Sequence, residues 1–174
     1  MASRKSANEQ AEALGEEADP PRLAGWAYPG LDYPTFHLVL IAKAIDRLTL
    51  RTLHDDDAAL TVAEWRVLSR LAPTTGATVR QIAEWAWVDR AEVSRAASEL
   101  ERRGLTSRRP NPADKRSPIL FCTPQGHAEY KRLLPIRAAF HAELSGLLDE
   151  EEAAALDRLL ARIANGIGAR TGNG

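Results

Sequence analysis

A mainly α fold carrying one small β-hairpin wing is the architecture this sequence predicts, and three observations predict it. Five stretches open on a helix-capping signature and continue with apolar residues at helical spacing. Only two short stretches, on either side of residues 111–114, read as strands. Between residues 78 and 126 the order is short helix, tight turn, longer helix, basic hairpin. That order describes a winged helix-turn-helix, here flanked by N- and C-terminal helices.

Residues 1–22 are polar, acidic and without periodicity. Over residues 1–20, Arg4 and Lys5 stand against Glu9, Glu12, Glu16, Glu17 and Asp19, a net of 2 − 5 = −3. Such a segment is expected to be a disordered tail. Residues 23–34 carry Trp26, Tyr28 and Tyr33 among Pro and Gly and read as an ordered extension. Over 35–53 the pattern is helical, with Leu38, Ile41, Ile45 and Leu48 in one apolar row and Phe36, Leu40 and Ala44 in a second. A helix apolar on two sides needs more than one packing partner, and a subunit interface is the simplest source of the second. Residues 54–57 (His-Asp-Asp-Asp) break the pattern as a loop.

The next helix starts share one punctuation. Thr61 precedes Glu64, Thr78 precedes Gln81, Asp89 precedes Glu92 and Asp149 precedes Glu152. In each, the cap side chain and the residue three positions on can satisfy each other's free backbone N–H groups. Thr123-Pro124 adds a cap residue followed by proline at the first helical position. The strand-like stretches are 105–109 and 117–122, where Leu120 and Cys122 alternate with Ile119 and Phe121; Pro110 and Pro118 predict an edge hairpin. The helix beginning at Thr123 contains Pro135, which should bend it. In the last helix Leu156, Leu159, Leu160, Ile163 and Ile167 form an apolar stripe. The expected division is a tail at 1–22, an extension and dimerisation helix at 23–56, a winged lobe at 60–123, C-terminal dimerisation helices at 124–168 and a flexible tail at 169–174.

Composition narrows the function classes. A chain of 174 residues with 44% hydrophobic and 27% charged residues is ordinary for a globular protein. The lone Cys122 excludes an intramolecular disulfide and a multi-cysteine zinc site. The N-terminus has no apolar signal core, and no apolar run reaches about 18 residues. The expected location is therefore cytoplasmic, with no membrane partner. His37, His54, His127 and His141 form no metal-binding set, and no glycine-rich phosphate loop occurs. No enzyme activity, metal or cofactor is expected. Net charge is only −1, but residues 102–116 hold Arg102, Arg103, Arg108, Arg109, Lys115 and Arg116 against Asp114, a local 6 − 1 = +5. A concentrated basic patch on a near-neutral chain suits selective binding of double-stranded DNA at one face.

The segments DRAEVSR (89–95), LERRGL (100–105), DKR (114–116) and TPQG (123–126), in this order and spacing, resemble the multiple-antibiotic-resistance regulator (MarR) family over about residues 35–168. The resemblance implies a homodimer with a winged helix-turn-helix in each subunit and a dimer lobe built from the terminal helices. It also implies a palindromic operator, usually repressed and released by a small ligand. One residue departs from the pattern: the turn before the recognition helix often holds a small residue, and Trp87 stands there. A left-handed conformation would be costly for Trp, so either the turn has another shape or Trp87 plugs a hydrophobic gap.

The helix starting at Asp89 is the recognition candidate. Arg90, Ala91, Glu92, Ser94, Arg95 and Ser98 would face the groove, with Val93, Ala97 and Leu100 turned to the core. Arg90 or Arg95 can donate two hydrogen bonds to guanine, or can be tied up in an ion pair with Glu92, Glu99 or Asp114. Ser94 and Ser98 can contact phosphate or base edges. The resemblance makes Arg116 the wing residue that enters the minor groove, with Asp114 orienting it. Arg108, Arg109 and Lys115 would bind phosphates, and Thr78 caps a helix N-terminus able to approach one.

Trp26, Phe36, His37, Trp65 and Arg66 are candidates for a ligand pocket. Arg66 could pair with a carboxylate and His37 could hydrogen-bond a phenol or carboxylate, which favours a small aromatic acid as effector. Against this, Trp65 and Trp85 can be core residues and Arg66 a solvated one. Two other readings stand beside the effector-released repressor. One is an effector-independent or architectural DNA-binding protein. The other is a redox sensor based on Cys122, a thiol whose inward strand position argues for inertness.

Overall fold

The computed structural model describes residues 23–27, 29–31, 33–54 and 60–171. Its elements are α1 (Pro34–His54), α2 (Val62–Leu71), β1 (Ala77–Thr78), α3 (Val79–Ala86), α4 (Arg90–Arg102), β2 (Thr106–Arg109), β3 (Ile119–Cys122), α5 (Pro124–Ser145) and α6 (Glu150–Thr171). The chain divides into two compact units, Met1–Leu48 and Thr49–Gly174. This is the mainly helical fold with a small wing that the sequence predicts. No described helix is long and apolar enough to cross a membrane. The expected tail at 1–22 lies outside the described residues.

In the first unit a turn brings the Trp26 N–H to the Leu23 carbonyl at 3.0 Å. The backbone N–H groups of Phe36 and His37 then close on the Tyr33 carbonyl as α1 begins.

The second unit is built on α2, α3 and α4, whose apolar faces meet in one core. Val67, Leu68 and Leu71 of α2, Ile82 and Ala83 of α3, and Val93, Ala96, Ala97 and Leu100 of α4 are buried there with Leu60, Leu105, Leu120 and Leu133. Full burial of each Leu, Ile or Val contributes roughly 1.5–3 kcal/mol. The alanines of α4 let α2 approach closely, and among the described residues these two helices make the most extensive helix–helix contact. Burying Val93, Ala97 and Leu100 fixes the rotation of α4 and turns Arg90, Ala91, Ser94, Arg95 and Ser98 outward.

The helix caps test the sequence punctuation residue by residue. Thr61 and Glu64 form a closed capping box, as do Thr78 and Gln81 and Asp149 and Glu152. Thr123 caps α5 ahead of Pro124. At Asp89 the cap forms but the box does not. Asp89 accepts from the Ala91 N–H at 2.6 Å, whereas Glu92 leans away to Arg66 at 3.6 Å. Glu64 is nearly buried and also meets Arg103 at 3.3 Å, so the α2 cap is tied to the C-terminal end of α4. Helix α5 continues through Pro135.

Three strands form one antiparallel sheet in the order β1-β3-β2. The predicted edge hairpin is thus corrected: β3 is the central strand, because β1 pairs with it through Ala77 opposite Leu120 and Thr78 opposite Ile119. Pro118 precedes the paired residues and removes no ladder hydrogen bond. Gly76 makes the approach possible. It sits at φ +123°, and a Cβ there would lie 2.7 Å from the Phe121 ring and 2.9 Å from Ile119. At the other end of the chain, α6 runs to Thr171, past the expected end at residue 168. Bonds from Thr171 Oγ1 to the carbonyls of Ile167 and Gly168 hold that last turn.

Candidate nucleic-acid interface

Short caps and a packed underside fix α4, so its exposed side chains are presented on a rigid element. Arg90 and Arg95 are both exposed. The carboxylates that could have captured them are engaged elsewhere. Glu92 pairs with Arg66, and Glu99 pairs with Arg102, whose hydrogen bond holds the Glu99 carboxyl below its ordinary pKa. Among the described residues neither Arg90 nor Arg95 has a salt-bridge partner. Each can therefore offer its full guanidinium fork to a ligand. Ser94 is exposed beside them.

Ser98 is partly occupied. Its hydroxyl donates to the Ser94 carbonyl at 2.9 Å and accepts from Arg108 Nη2 at 2.9 Å. Arg108 Nε also lies 3.2 Å from Glu101. Arg108 is thereby a brace between the first wing strand and α4, a role its sequence position did not reveal. Arg109 extends over the Phe121 ring, 4.7 Å from its centroid. Stacking there leaves the guanidinium edge open for hydrogen bonding.

At the wing tip, the Asp114 carboxylate accepts from the Arg116 backbone N–H at 3.0 Å, and the Asp114 carbonyl accepts from the Ser117 N–H at 3.0 Å. Asp114 orients the tip through the backbone of Arg116, not through its guanidinium. Lys115 and Arg116 are exposed and, among the described residues, in no salt bridge. A concavity of about 910 Å³ lies between the start of α3, the start of α4 and the wing. Thr78, Arg80, Arg90, Asn111 and Asp114 are among the residues that line it. Thr78 Oγ1 and the Thr78 N–H both reach Gln81 Oε1, at 3.0 and 2.9 Å, which sets the first turn of α3 against this space.

Sequence reasoning missed Arg80 and misread Trp87. Arg80 is exposed, only 4.0 Å from Glu84, and faces the same concavity as Arg90. Its place two residues after the Thr78 cap, on the polar face of α3, was the available signal. Trp87 contradicts both alternatives drawn from the sequence. It takes the left-handed conformation, φ 53° and ψ 45°, and it plugs nothing, being 74% exposed. For a non-glycine residue that conformation costs roughly 1–2 kcal/mol.

The ligand-pocket candidates divide between the two units, Trp26, Phe36 and His37 in the first and Trp65 and Arg66 in the second. In the first unit, Trp26 and His37 stack face to face, centroids 4.0 Å apart, with His37 Nε2 2.9 Å from the Trp26 carbonyl oxygen. Phe36 adjoins this pair at 6.5 Å from the His37 ring. In the second unit, Trp65 stacks on Tyr130, centroids 6.0 Å apart, at the margin of the core. Arg66 is bound to Glu92 of α4. Trp85, read as a possible core residue, is 46% exposed.

Cys122 is half-buried on β3, and burial raises its thiol pKa. A raised pKa means less thiolate at neutral pH, and the thiolate is the reactive form. A disulfide reagent such as Ellman's is expected to modify Cys122 roughly tenfold more slowly in the folded protein than after denaturation. Equal rates in the two states would restore the redox-sensor reading.

Comparison with known proteins follows the same elements. Residues 60–117 match the model of the MarR family. The chain is similar to a probable transcriptional regulator from Pseudomonas aeruginosa, with 26% identity, 76% of this chain and 97% of that chain covered, and a TM-score of 0.67. It is likewise similar to a mutant MarR from E. coli complexed with operator DNA, at 27% identity, 76% and 94% coverage and a TM-score of 0.67. A further likeness, to S. aureus MepR in its DNA complex, has 20% identity, 77% and 98% coverage and a TM-score of 0.69, and shows the fold alone. No curated protein matches the chain.

Proposed function

We propose that this chain, whose residues 60–117 are a MarR-family domain, is a cytoplasmic transcriptional regulator that binds operator DNA as a homodimer. The observation that carries the reading is the pair of exposed arginines that have no salt-bridge partner among the described residues, Arg90 and Arg95, on a helix whose opposite face is locked in the core. A planar guanidinium on a rigid element can make the bidentate contact to guanine that a flexible ammonium cannot. Arg116 at the wing tip is the minor-groove candidate. Arg80, Arg109 and Lys115 serve phosphates.

Dimerisation is supported by α6. It carries an apolar stripe yet has no residue buried within its own chain. Two copies related by a twofold axis would present two recognition helices, which suits a pseudopalindromic site with half-sites about 34 Å apart. Repression is the proposed outcome because it is the habit of the family that the sequence resembles, not because of any residue here.

For the effector, the Arg66–Glu92 pair supplies a mechanism. It ties α2 to the first turn of the recognition helix. An aromatic carboxylate that takes Arg66 from Glu92 frees that turn and weakens operator binding. Arg66→Ala is expected to leave a regulator whose operator affinity no longer responds to aromatic acids, seen as a release curve that goes flat. A response unchanged in Arg66→Ala would remove Arg66 from the effector site. A wild-type protein indifferent to every aromatic acid tested would favour the effector-independent reading.

The primary test is selection of binders from random DNA duplexes at physiological salt. Recovery of a pseudopalindrome supports a dimeric sequence-specific regulator. Salt-sensitive binding without any enriched motif would point to an architectural protein, and no binding at all would overturn the proposal.

A further inference from the structure

We infer that Trp87, in the turn ahead of the recognition helix, is a contact to the DNA sugar–phosphate backbone beside the groove that α4 enters. This rests on the operator-binding reading above and extends it to a residue type and a place that reading does not use.

The conformation comes first. Trp87 is the only non-glycine residue at positive φ among the described residues. Glycine would take that conformation without strain. A large side chain kept in a strained turn is ordinarily repaid by packing, but this indole is 74% exposed and belongs to no part of the core. What repays it lies outside the free chain. The strain also has a use. The turn is pinned by the Trp87 and Val88 backbone N–H groups, which both donate to the Ala83 carbonyl. The indole is thus held at a fixed place and does not swing freely.

The second observation is position. Trp87 lies two residues before Asp89, the cap of α4. Trp87, Asp89 and Arg90 line one open concavity of about 480 Å³, which Glu84 and Thr171 also border. The indole therefore adjoins the N-terminal end of α4, the end that carries Arg90. Such a helix start lies deep in the groove when a recognition helix is bound, so the residue just ahead of it meets the groove wall.

Chemistry narrows the partner. A groove wall offers phosphate oxygens and the apolar faces of deoxyribose. An indole offers one N–H donor and a flat apolar face, and has no acceptor to be repelled. Its neutrality matters at this spot. Glu84 and Asp89 stand on either side, Glu84 near Arg80 and Asp89 bound to the Ala91 N–H. A lysine or arginine here would be drawn to those carboxylates, whereas a neutral donor remains available to a phosphate. Contacts of this kind position the protein without reading sequence.

The test uses the full-length protein and the operator recovered by selection, with Trp87→Gly and Trp87→Phe variants. Binding by the wild type is measured first, so failure of the operator-binding reading would be seen before any variant is made and would take this inference with it. Given wild-type binding, Trp87→Gly is expected to be at least as stable to heat as the wild type, because the strain is gone. It is also expected to bind the operator at least about a hundredfold more weakly, the loss in each subunit of one hydrogen bond to a charged acceptor. The weakening should be the same across operators altered at single bases. Trp87→Phe keeps a ring but no donor and should fall between the two. Operator affinity undiminished in Trp87→Gly would overturn the assignment. So would a loss confined to one base position, which would mean base readout, or dissociation of the dimer in Trp87→Gly, which would place the indole against the second copy.

Discussion

Leu159→Glu in α6 is expected to convert a dimer into monomers and to weaken operator binding by at least about a hundredfold. Leu156, Leu159, Leu160 and Ile167 are between 38% and 53% exposed in the single chain, on a helix that buries nothing of its own. Covering the exposed half of each leucine at an interface contributes roughly 0.7–1.5 kcal/mol. In a twofold interface every substitution counts twice, and here it also brings two carboxylates into an apolar seam. The hundredfold loss corresponds to roughly 2.8 kcal/mol, which is modest beside those terms. Sedimentation or light scattering reads the assembly, and a duplex-binding titration reads the affinity. A variant that stays dimeric with native operator affinity would remove α6 from the interface and leave its exposed stripe without a role. Core packing of α2, α3 and α4 does not involve Leu159, so the melting of the winged lobe should change little.

Much of this fold was legible because its signals are local. A cap residue and its partner three positions on lie within one turn, so Thr61 with Glu64 and Asp149 with Glu152 could be read without knowing the fold. The rotation of α4 was legible for the same reason: Val93, Ala97 and Leu100 recur at helical spacing and must share a face. Where the sequence misled, the deciding contact was distant in the chain. Strand β1 is two residues long, too short to show alternation, and exists only because Leu120 and Ile119 pair with it some forty residues later. Glu92 fits a capping box by spacing, but Arg66 from another helix outcompetes a backbone N–H for its carboxylate.

The candidate site was legible in its residue types and less so in its wiring. A cluster of arginines is visible in any sequence. Which of them are committed internally is not. Arg108 looks like Arg109 by position, yet one braces Ser98 and Glu101 and the other lies on Phe121. Asp114 was read as an orienting residue, but the group it holds is a backbone N–H that every residue carries. Trp87 is the sharpest case. Steric reasoning correctly judged the left-handed conformation costly for tryptophan, and the chain adopts it nonetheless. A local rule broken without a compensating contact in the free protein points to a contact made elsewhere.

Arg95→Ala and Arg90→Ala should differ from Lys115→Ala in kind as well as size. A bidentate arginine–guanine contact discriminates by roughly 1–3 kcal/mol, and a symmetric dimer loses it at both half-sites, so roughly 2–6 kcal/mol in total. Losing it also relaxes the preference at the base it reads. At least one of the two recognition-helix variants is therefore expected to bind its best duplex weakly and to tolerate a changed base at one symmetric pair of positions. Lysine at the same site keeps the charge and loses the fork, so Arg95→Lys or Arg90→Lys should recover phosphate-type affinity without recovering the base preference. Lys115, exposed at the wing tip, contributes charge alone. Its alanine variant should weaken all duplexes evenly and flatten the salt dependence by about one unit of slope per subunit. Repeating the duplex selection with each variant at two salt concentrations separates these outcomes. If both arginine variants weakened binding evenly and left the selected motif unchanged, α4 would be gripping phosphates, and sequence would have to be read by the wing or by the shape of the duplex.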